Sequence, residues 1–232
     1  MKLSLYIKYI AIAVFSFVCF VVKAEQTDTN IRQKQVCEIE DKTHHRVGFN
    51  GSLTSSLSWL LEFSYHYMLN RHIGFGGSVG SWEVYYEEGW ASGSNWKIDE
   101  DYNKPWNFFI RPSILLKTPA LKHRACSWSV FAEPGVMLNI PYQSVCIEST
   151  PNWPAADYDY ISTTKGQWLA IDLRIGVSLD IDPCGVSVGY VISNHDVYSQ
   201  YRHLSYNGIS FKNFYPHKSL MQGAYISLSY NL

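Results

Sequence analysis

Residues 168–182, WLAIDLRIGVSLDID, alternate apolar and polar side chains over their whole length. One face carries only aliphatic residues: Leu169, Ile171, Leu173, Ile175, Val177, Leu179 and Ile181. The other face carries Asp172, Arg174 and Asp180 among Trp, Ala, Gly and Ser. A period of two residues is the geometry of a β-strand, whose successive side chains point to opposite faces. The segment therefore predicts a strand that separates two very different surroundings.

The same alternation recurs along the chain and predicts eight strands. They cover about residues 46–53, 57–69, 73–81, 106–116, 127–140, 168–182, 186–193 and 223–232. The connections after strands two, four and six are short, and the parity of the flanking faces predicts a three-residue turn at 70–72 and a four-residue loop at 182–185. The connections after strands three, five and seven are long, at about 87–105, 141–164 and 194–218. Pro112 and Pro134 each predict a β-bulge, because proline removes a ladder hydrogen bond.

The composition of the two faces predicts which one points outward. The apolar face of the predicted strands carries no charged residue, and the polar face is rich in Gly and Ser and carries no Lys. The exterior of a barrel in water would show Lys and Glu freely, whereas the interior of an eight-stranded barrel only has room for its own side chains. Residues 45–232 therefore predict an eight-stranded antiparallel up-and-down transmembrane β-barrel with a filled polar interior and an apolar lipid-facing exterior. A soluble ligand-binding barrel, with the two faces reversed, remains an alternative.

Charged residues at mid-strand positions of the polar face predict an ionic network inside the barrel. Its members are Glu62, Arg111, Glu133, Asp172 and Arg174, with Arg46 nearer the end of its strand. Each buried charge is costly unless it is paired, so these residues are expected to meet. A plug that fills the lumen is favoured over a path for protons or ions. Gly80 lies opposite Glu62 in the predicted register and leaves room for the carboxylate.

Large aromatic residues near the strand ends predict the girdles that mark membrane interfaces. These are Trp59, Tyr67, Trp106, Trp128 and Tyr230.

The first 24 residues predict a cleaved secretory signal peptide, with Lys2 and Lys8 before an apolar run and cleavage after Ala24. Residues 25–44 are polar and predict a periplasmic N-terminal segment. Export to an oxidising compartment permits disulfides, and Cys126 with Cys184 is the preferred pair. The predicted strand between these two cysteines is an objection to the pairing, because it places them ~10 Å apart.

With these features together, residues 45–232 resemble the small eight-stranded outer-membrane β-barrel family of the OmpX and OmpA-transmembrane type. The last strand alternates and places Tyr230 two residues before the end, which resembles the terminal recognition signal of that family. The sequence departs from this signal by ending in Leu232, where an aromatic residue is most common. The resemblance implies a monomer integral to the outer membrane of a Gram-negative cell. It also implies contact with outer-membrane lipid and lipopolysaccharide, and assembly by the barrel-assembly machinery.

The charge pattern and the residue spacing argue against two functional classes, nucleic-acid binding and zinc binding. A formal net charge of −1, with no cluster of Lys and Arg, argues against a nucleic-acid partner. No Cys or His spacing indicates zinc, and the sequence predicts no cofactor. Paired aspartates at 99/101 and 157/159 suggest calcium only weakly, because they do not meet EF-hand spacing.

The long loops carry the residues on which function depends. The first two are aromatic and acidic, with Trp90, Trp96, Asp99, Glu100, Asp101, Tyr102, Trp153, Asp157, Tyr158, Asp159 and Tyr160. The third is basic, with Arg202, His203, Lys212, His217 and Lys218. Two hypotheses stay open: the loops pair by charge into a cap, or they form a recognition surface for an extracellular glycan or protein.

Residues 193–203 also suggest an enzyme. Ser193, His195, Asp196, Ser199 and His203 are the residue types of an acyl hydrolase or transferase, which needs a base within reach of a hydroxyl. A structural or surface-recognition role without catalysis is preferred, with a lipid-modifying enzyme as the alternative and a narrow pore as a third hypothesis.

Overall fold

A computed structural model describes residues 44–84, 91–99, 107–123, 126–152 and 155–232. The predicted signal peptide, almost all of the predicted periplasmic segment, Cys37 and Trp106 lie outside the described residues. The strands are β1 (His45–Thr54), β2 (Ser58–Met68), β3 (Ile73–Val84), β4 (Ser92–Gly93), β5 (Trp96–Ile98), β6 (Asn107–Lys117), β7 (Leu121–His123), β8 (Cys126–Asn139), β9 (Gln143–Asn152), β10 (Ala155–Thr163), β11 (Leu169–Ile181), β12 (Cys184–Ser193), β13 (Ser205–Tyr206), β14 (Ile209–Ser210) and β15 (Met221–Asn231).

Eight of these strands form a closed antiparallel barrel. Around the barrel they follow one another as β1, β2, β3, β6, β8, β11, β12 and β15, and β15 pairs with β1 to complete the circle. Each barrel strand coincides with one of the eight alternating segments of the sequence. The predicted eight-stranded antiparallel barrel is therefore confirmed. Within the described part of the chain, none of the helices is both long and apolar enough to cross a membrane.

Short and long connections lie on opposite rims, called here the inner and the outer rim. The inner rim has the turn at residues 69–72, where Leu69 N donates to Ile73 O, and the turn at Asp182 and Pro183. The outer rim has one tight turn, at residues 55–57, and the three long connections. The four-residue loop predicted at 182–185 is wrong, because Ile181 pairs directly with Cys184 and leaves only two residues in the turn.

The two strand prolines do not form bulges. Pro112 pairs with Gly77 in β3, and Pro134 pairs with Leu173 in β11, without a shift of register on either side. Between β6 and β8 the register is also constant, from Phe109 opposite Asn139 to Lys117 opposite Phe131. The prediction of bulges is therefore wrong. Each proline lacks the N–H that would donate a hydrogen bond between β6 and β8. The β6–β8 ladder therefore loses these hydrogen bonds, but its register does not change.

The outward face of the barrel is apolar and exposed. Phe63, Val79 and Ile110 are adjacent in the register of β2, β3 and β6, and each exposes more than half of its surface, at 67%, 55% and 54%. The same alternation continues through Ile171, Leu173, Ile175 and Val177 of β11. So much contiguous apolar surface is unusual on a monomer in water and marks a face that meets lipid or another apolar partner.

The long outer connections fold into regular structure that the sequence does not predict. β10, β9, β5 and β4 form a second antiparallel sheet, called here the loop sheet. The last long connection contains 3-10 turns at Tyr201–His203 and Phe211–Asn213 and the small β13–β14 hairpin. Their buried side chains, including Ile98, Ile147, Tyr201 and Phe211, belong to one apolar cluster with the outer end of the lumen.

A charged residue in the middle of the outward face should destabilise the barrel in a bilayer. Val79→Arg places a guanidinium at the mid-height of β3, where a charge facing lipid costs roughly 2–4 kcal/mol, whereas Leu69→Arg at the inner rim should cost about 0–1 kcal/mol. Urea unfolding of both variants in phospholipid vesicles measures the difference. Equal stabilities would contradict a lipid-facing belt.

Candidate functional site

A layer of charged side chains crosses the middle of the lumen. Arg111, on β6, donates from Nε to both carboxylate oxygens of Asp172, on β11, at 2.9 and 2.8 Å. Its Nη1 donates to the carboxylate of Glu133, on β8, and its Nη2 donates to the Glu133 carbonyl oxygen at 3.0 Å. Arg111 is 1% exposed, so its positive charge is compensated by these carboxylates and not by water.

The second arginine of the layer holds the remaining acid. Arg174 pairs through Nη2 with the carboxylate of Glu62, on β2, and its Nε lies 3.6 Å from Asp172 Oδ2. The guanidinium also stacks over the ring of Tyr225, with its central carbon 4.9 Å from the ring centroid. The Ser78 hydroxyl donates to Glu62 from the neighbouring strand. The structure thus brings all five predicted network residues into one connected layer.

Two glycines make this layer sterically possible. A Cβ at Gly135 would lie 2.6 Å from three atoms of the Arg111 guanidinium, so only glycine lets that side chain cross the lumen against β8. A Cβ at Gly80 would lie 2.6 Å from Glu62 Cβ and 2.8 Å from Phe109 Cζ. Gly80 pairs with Glu62 in the β2–β3 register, as the sequence predicts.

A second charged group lies at the inner end of the lumen. Arg46 donates to Asp180 at 3.1 Å and to Ser229 at 2.6 Å, and Lys117 donates to the other oxygen of Asp180 at 2.5 Å. Lys117 is absent from the predicted network, because the predicted strand ends at residue 116. The alternation of β6 from Asn107 through Arg111 to Lys117 is the signal that identifies it. His66, 3.6 Å from Glu133, is absent for another reason: the predicted network contains only acidic residues and arginines.

Apolar side chains separate the ionic layer from the outer rim. Leu60, Phe109, Met137, Ala170 and Met221 come from five different barrel strands and are all buried in one cluster. They occupy the lumen between the ionic layer and the loop sheet's core. This apolar layer fills the part of the lumen that lies beyond the ionic layer.

The predicted girdle residues lie on the outward face, mainly at the inner rim. Tyr67, Trp128 and Tyr230 are 42%, 46% and 45% exposed there, and Trp59 is half-buried near the outer rim. Tyr67 also stands against His44 and His45, with ring centroids 5.9 and 5.5 Å away.

Among the described residues, aromatic contacts join the outer loops. Trp96 of the loop sheet stacks on Phe211, with centroids 5.6 Å apart, and meets the edge of Tyr206 at 5.3 Å. The basic side chains Arg202 and His217 both pair with Asp196, which lies in the same connection. A cap therefore forms, and aromatic contacts help to hold it together. Pairing of acidic and basic loops stays a prediction.

Two exposed tyrosines lie on the outward side of the loop sheet. Tyr158 and Tyr160 are 50% and 67% exposed and share one face of β10. In the sheet register they pair with Glu148 and Cys146 of β9, and Glu148 forms an ion pair with Lys97 of β5 at 3.1 Å. Asp159, on the opposite face of β10, accepts a bond from the Tyr206 hydroxyl at 3.2 Å. Trp90, Glu100, Asp101, Tyr102 and Trp153 lie outside the described residues.

The residues of the proposed enzyme do not form a catalytic arrangement around His195. Its Nδ1 accepts a hydrogen bond from Asn139 Nδ2 at 3.1 Å, and its ring stands edge-on to Trp82, with centroids 4.8 Å apart. Ser193 Oγ donates to Ile171 O, and Ser199 Oγ accepts from Gln167 N, so neither hydroxyl is bonded to the imidazole. His203 is exposed. Burial lowers the pKa of His195 to about 4, so the ring is neutral at pH 7.

The preferred disulfide is not formed. Cys126 and Cys184 begin β8 and β12 and are free thiols, as is the buried Cys146 in β9. β11 lies between them, since Asp180 pairs with Ser127 on one side and Gly185 on the other. Two strand spacings amount to ~10 Å, which exceeds the Cα separation that a disulfide spans.

No protein-family model and no curated protein matches the sequence. Among solved structures, the chain is similar to the N-terminal β-barrel domain of OprF from Pseudomonas aeruginosa, with 9% identity, a TM-score of 0.42, and coverage of 83% of this chain and 99% of that one. For Neisserial surface protein A the identity is 11%, the TM-score 0.41 and the coverage 81% and 96%. For the outer membrane enzyme PagL the values are 12%, 0.37, 81% and 99%.

The space that Gly135 leaves for Arg111 should be required for stability. Gly135→Ala places a methyl group against the guanidinium, and overpacking of this kind costs roughly 1–3 kcal/mol. Gly51→Ala is the matched control, because its nearest atoms would lie at ordinary contact distances of 3.6 and 3.8 Å. Urea unfolding in detergent or lipid measures both. A Gly135→Ala variant as stable as Gly51→Ala would contradict the tight contact between Gly135 and the Arg111 guanidinium.

The buried neutral His195 should make opening of the outer loops depend on pH. The pKa of His195 is near 4 in the closed loop and 6.5 when exposed, so the open form binds the extra proton between these values. The free energy of opening should therefore fall as the pH falls from 6.5 to 4, by up to about 3 kcal/mol. Hydrogen exchange of the amides at 195–204 measures this. His195→Gln should remove the dependence, and the exposed His203→Gln should retain it.

Proposed function

We propose that this protein is an outer-membrane β-barrel, monomeric and closed, that presents its folded outer loops as a recognition surface. The barrel holds the surface in the membrane, and the loop sheet carries the contact residues. The ligand class is an extracellular glycan or protein. One observation carries the proposal: the outer loops form a sheet on an apolar cluster that they share with the outer end of the lumen, and they expose Tyr158 and Tyr160.

The exposed apolar belt supports the location in a membrane. Its residues come from every barrel strand, and only a lipid environment removes so much apolar surface from water for a single chain. The aromatic residues at the inner rim fit the interface region of such a bilayer. In this proposal the belt contacts outer-membrane lipid and lipopolysaccharide, and the barrel-assembly machinery reads the C-terminal strand β15.

The filled lumen supports a scaffold in preference to a pore. Arg111 and Arg174 occupy the middle of the lumen with their three carboxylate partners. The cluster of Leu60, Phe109 and Met137 fills the space above them. A water-filled path needs open space along the lumen, and these two layers of side chains occupy that space.

The recognition surface is favoured over catalysis by the bonding of His195. Its Nδ1 lone pair is used by Asn139, its ring is buried against Trp82, and the nearby hydroxyls bond to the backbone. A base for a serine nucleophile needs a free nitrogen within hydrogen-bond reach of the hydroxyl. By contrast, Tyr158 and Tyr160 expose broad amphipathic rings, the kind of side chain that dominates binding surfaces.

Removing the two exposed tyrosines should abolish recognition without affecting the barrel. Cells displaying the protein would be tested on arrays of glycans and extracellular-matrix proteins, with the Tyr158→Ser/Tyr160→Ser double variant beside them. The strongest binding should fall at least about tenfold, which corresponds to about 1.4 kcal/mol. Tyr142→Ser is the matched control, because Tyr142 is an exposed tyrosine just before the loop sheet.

Two outcomes would overturn the proposal. One is binding by the double variant that equals that of the unaltered protein. The other is the absence of binding to both ligand classes by properly folded protein on the cell surface.

A further inference from the structure

Five buried polar side chains meet at the outer end of the lumen and are called here the mouth cluster. Trp82 lies near the end of β3, Asn107 begins β6, and Asn139 ends β8. His195 and Gln200 come from the connection after β12. All five are more than nine-tenths buried, with exposures between 1% and 7%. They lie just outside the apolar layer that closes the lumen, under the loop cap.

Contacts connect the five side chains into one group. Gln200 Nε2 donates to Asn107 Oδ1 at 3.2 Å, and Asn107 pairs with Trp82 in the β3–β6 register. Trp82 meets the edge of the His195 ring, and Asn139 Nδ2 donates to His195 Nδ1 at 3.1 Å. The mouth cluster therefore joins three barrel strands to the loop that covers them.

Among the described residues, one polar atom on each member has no hydrogen-bond partner. The five atoms are Trp82 Nε1, Asn107 Nδ2, Asn139 Oδ1, His195 Nε2 and Gln200 Oε1. A buried donor or acceptor without a partner is destabilising, and five together would offset much of the stability of a domain. Native proteins satisfy such groups, by ordered water where protein atoms are out of reach.

The chemistry of the five atoms selects the ligand. The His195 Nδ1 lone pair is used, so Nε2 carries the proton and donates, as do Trp82 Nε1 and Asn107 Nδ2, while Asn139 Oδ1 and Gln200 Oε1 accept. None of the five is charged, and the nearest carboxylate, Asp196, is already paired with Arg202 and His217. A site with both donors and acceptors, no charge and almost no exposure fits a small neutral hydrogen-bonding molecule.

We propose that the mouth cluster is a binding site for a few buried water molecules, which bridge its five atoms and attach the loop cap to β3, β6 and β8. A water molecule makes two to four hydrogen bonds and both donates and accepts, which matches the mixed set of atoms. The site is separate from the recognition surface, so the test of the water site does not depend on the proposed function. Its role is to hold the outer loops in one position over the closed lumen.

Nuclear magnetic resonance of the full chain in detergent micelles tests the site directly. The Trp82 indole N–H and the His195 Nε2–H should show cross-relaxation with water molecules that reside far longer than surface water. Ser193→Ala is the control for hydroxyl relay: the Ser193 hydroxyl accepts from His195 N at 3.1 Å, and a hydroxyl proton that exchanges with water produces the same cross-relaxation. The water signal should persist in that variant. Its loss there, or its absence in the unaltered chain, would overturn the proposal.

A paired variant tests whether the waters depend on these atoms. Asn107→Leu/Gln200→Leu removes two of the five atoms together with the bond that joins their side chains. The water signal at Trp82 should be lost, and amides 195–204 should exchange faster. Asn50→Leu alters a buried asparagine deeper in the lumen, bonded to Tyr225, and should change neither. If the paired variant does not fold, a high-resolution crystal structure of the unaltered protein decides. Density bridging the five atoms supports the site, and direct pairing among them overturns it.

Discussion

The pairing of Arg111 and Arg174 with three carboxylates is the interaction on which the barrel depends. Both guanidiniums are almost completely buried, and neither is near bulk water, so each needs its acids within bonding distance. The partners come from β2, β6, β8 and β11, so the layer ties strands on different sides of the barrel together. Losing either arginine would leave buried carboxylates without a positive charge to compensate them.

The narrow lumen explains the other features of the interior. An eight-stranded barrel is just wide enough for its side chains, so a long arginine can cross only where the facing residue has no side chain. Gly135 and Gly80 meet this condition opposite Arg111 and Glu62. Above the layer, Phe109 and Met137 fill the remaining space. The lumen is therefore a packed core with a charged layer, and the outer loops extend the same core beyond the rim.

The outer loops depend on contacts between segments that are distant in sequence. Trp96, Tyr206 and Phe211 come from two different connections and stack together, while Asn139 ties the barrel wall to His195. Within the last connection, Arg202 and His217 both pair with Asp196. Aromatic packing and the mouth cluster thus fix the position of the surface that carries Tyr158 and Tyr160.

Alternation by itself determined the eight barrel strands, their antiparallel order and the face of each residue in the predicted segments, because a one-residue slip would reverse both faces. It also placed Glu62, Arg111, Glu133, Asp172 and Arg174 on one face. Only the tertiary structure decided which acid pairs with which arginine, and that Lys117 and His66 also take part in ion pairs in the lumen. It also decided that the strands keep their register at Pro112 and Pro134. It also decided that Cys126 and Cys184 stay apart and that the long loops form a sheet. These outcomes depend on distances across the barrel and between loops, which a pattern of period two does not contain.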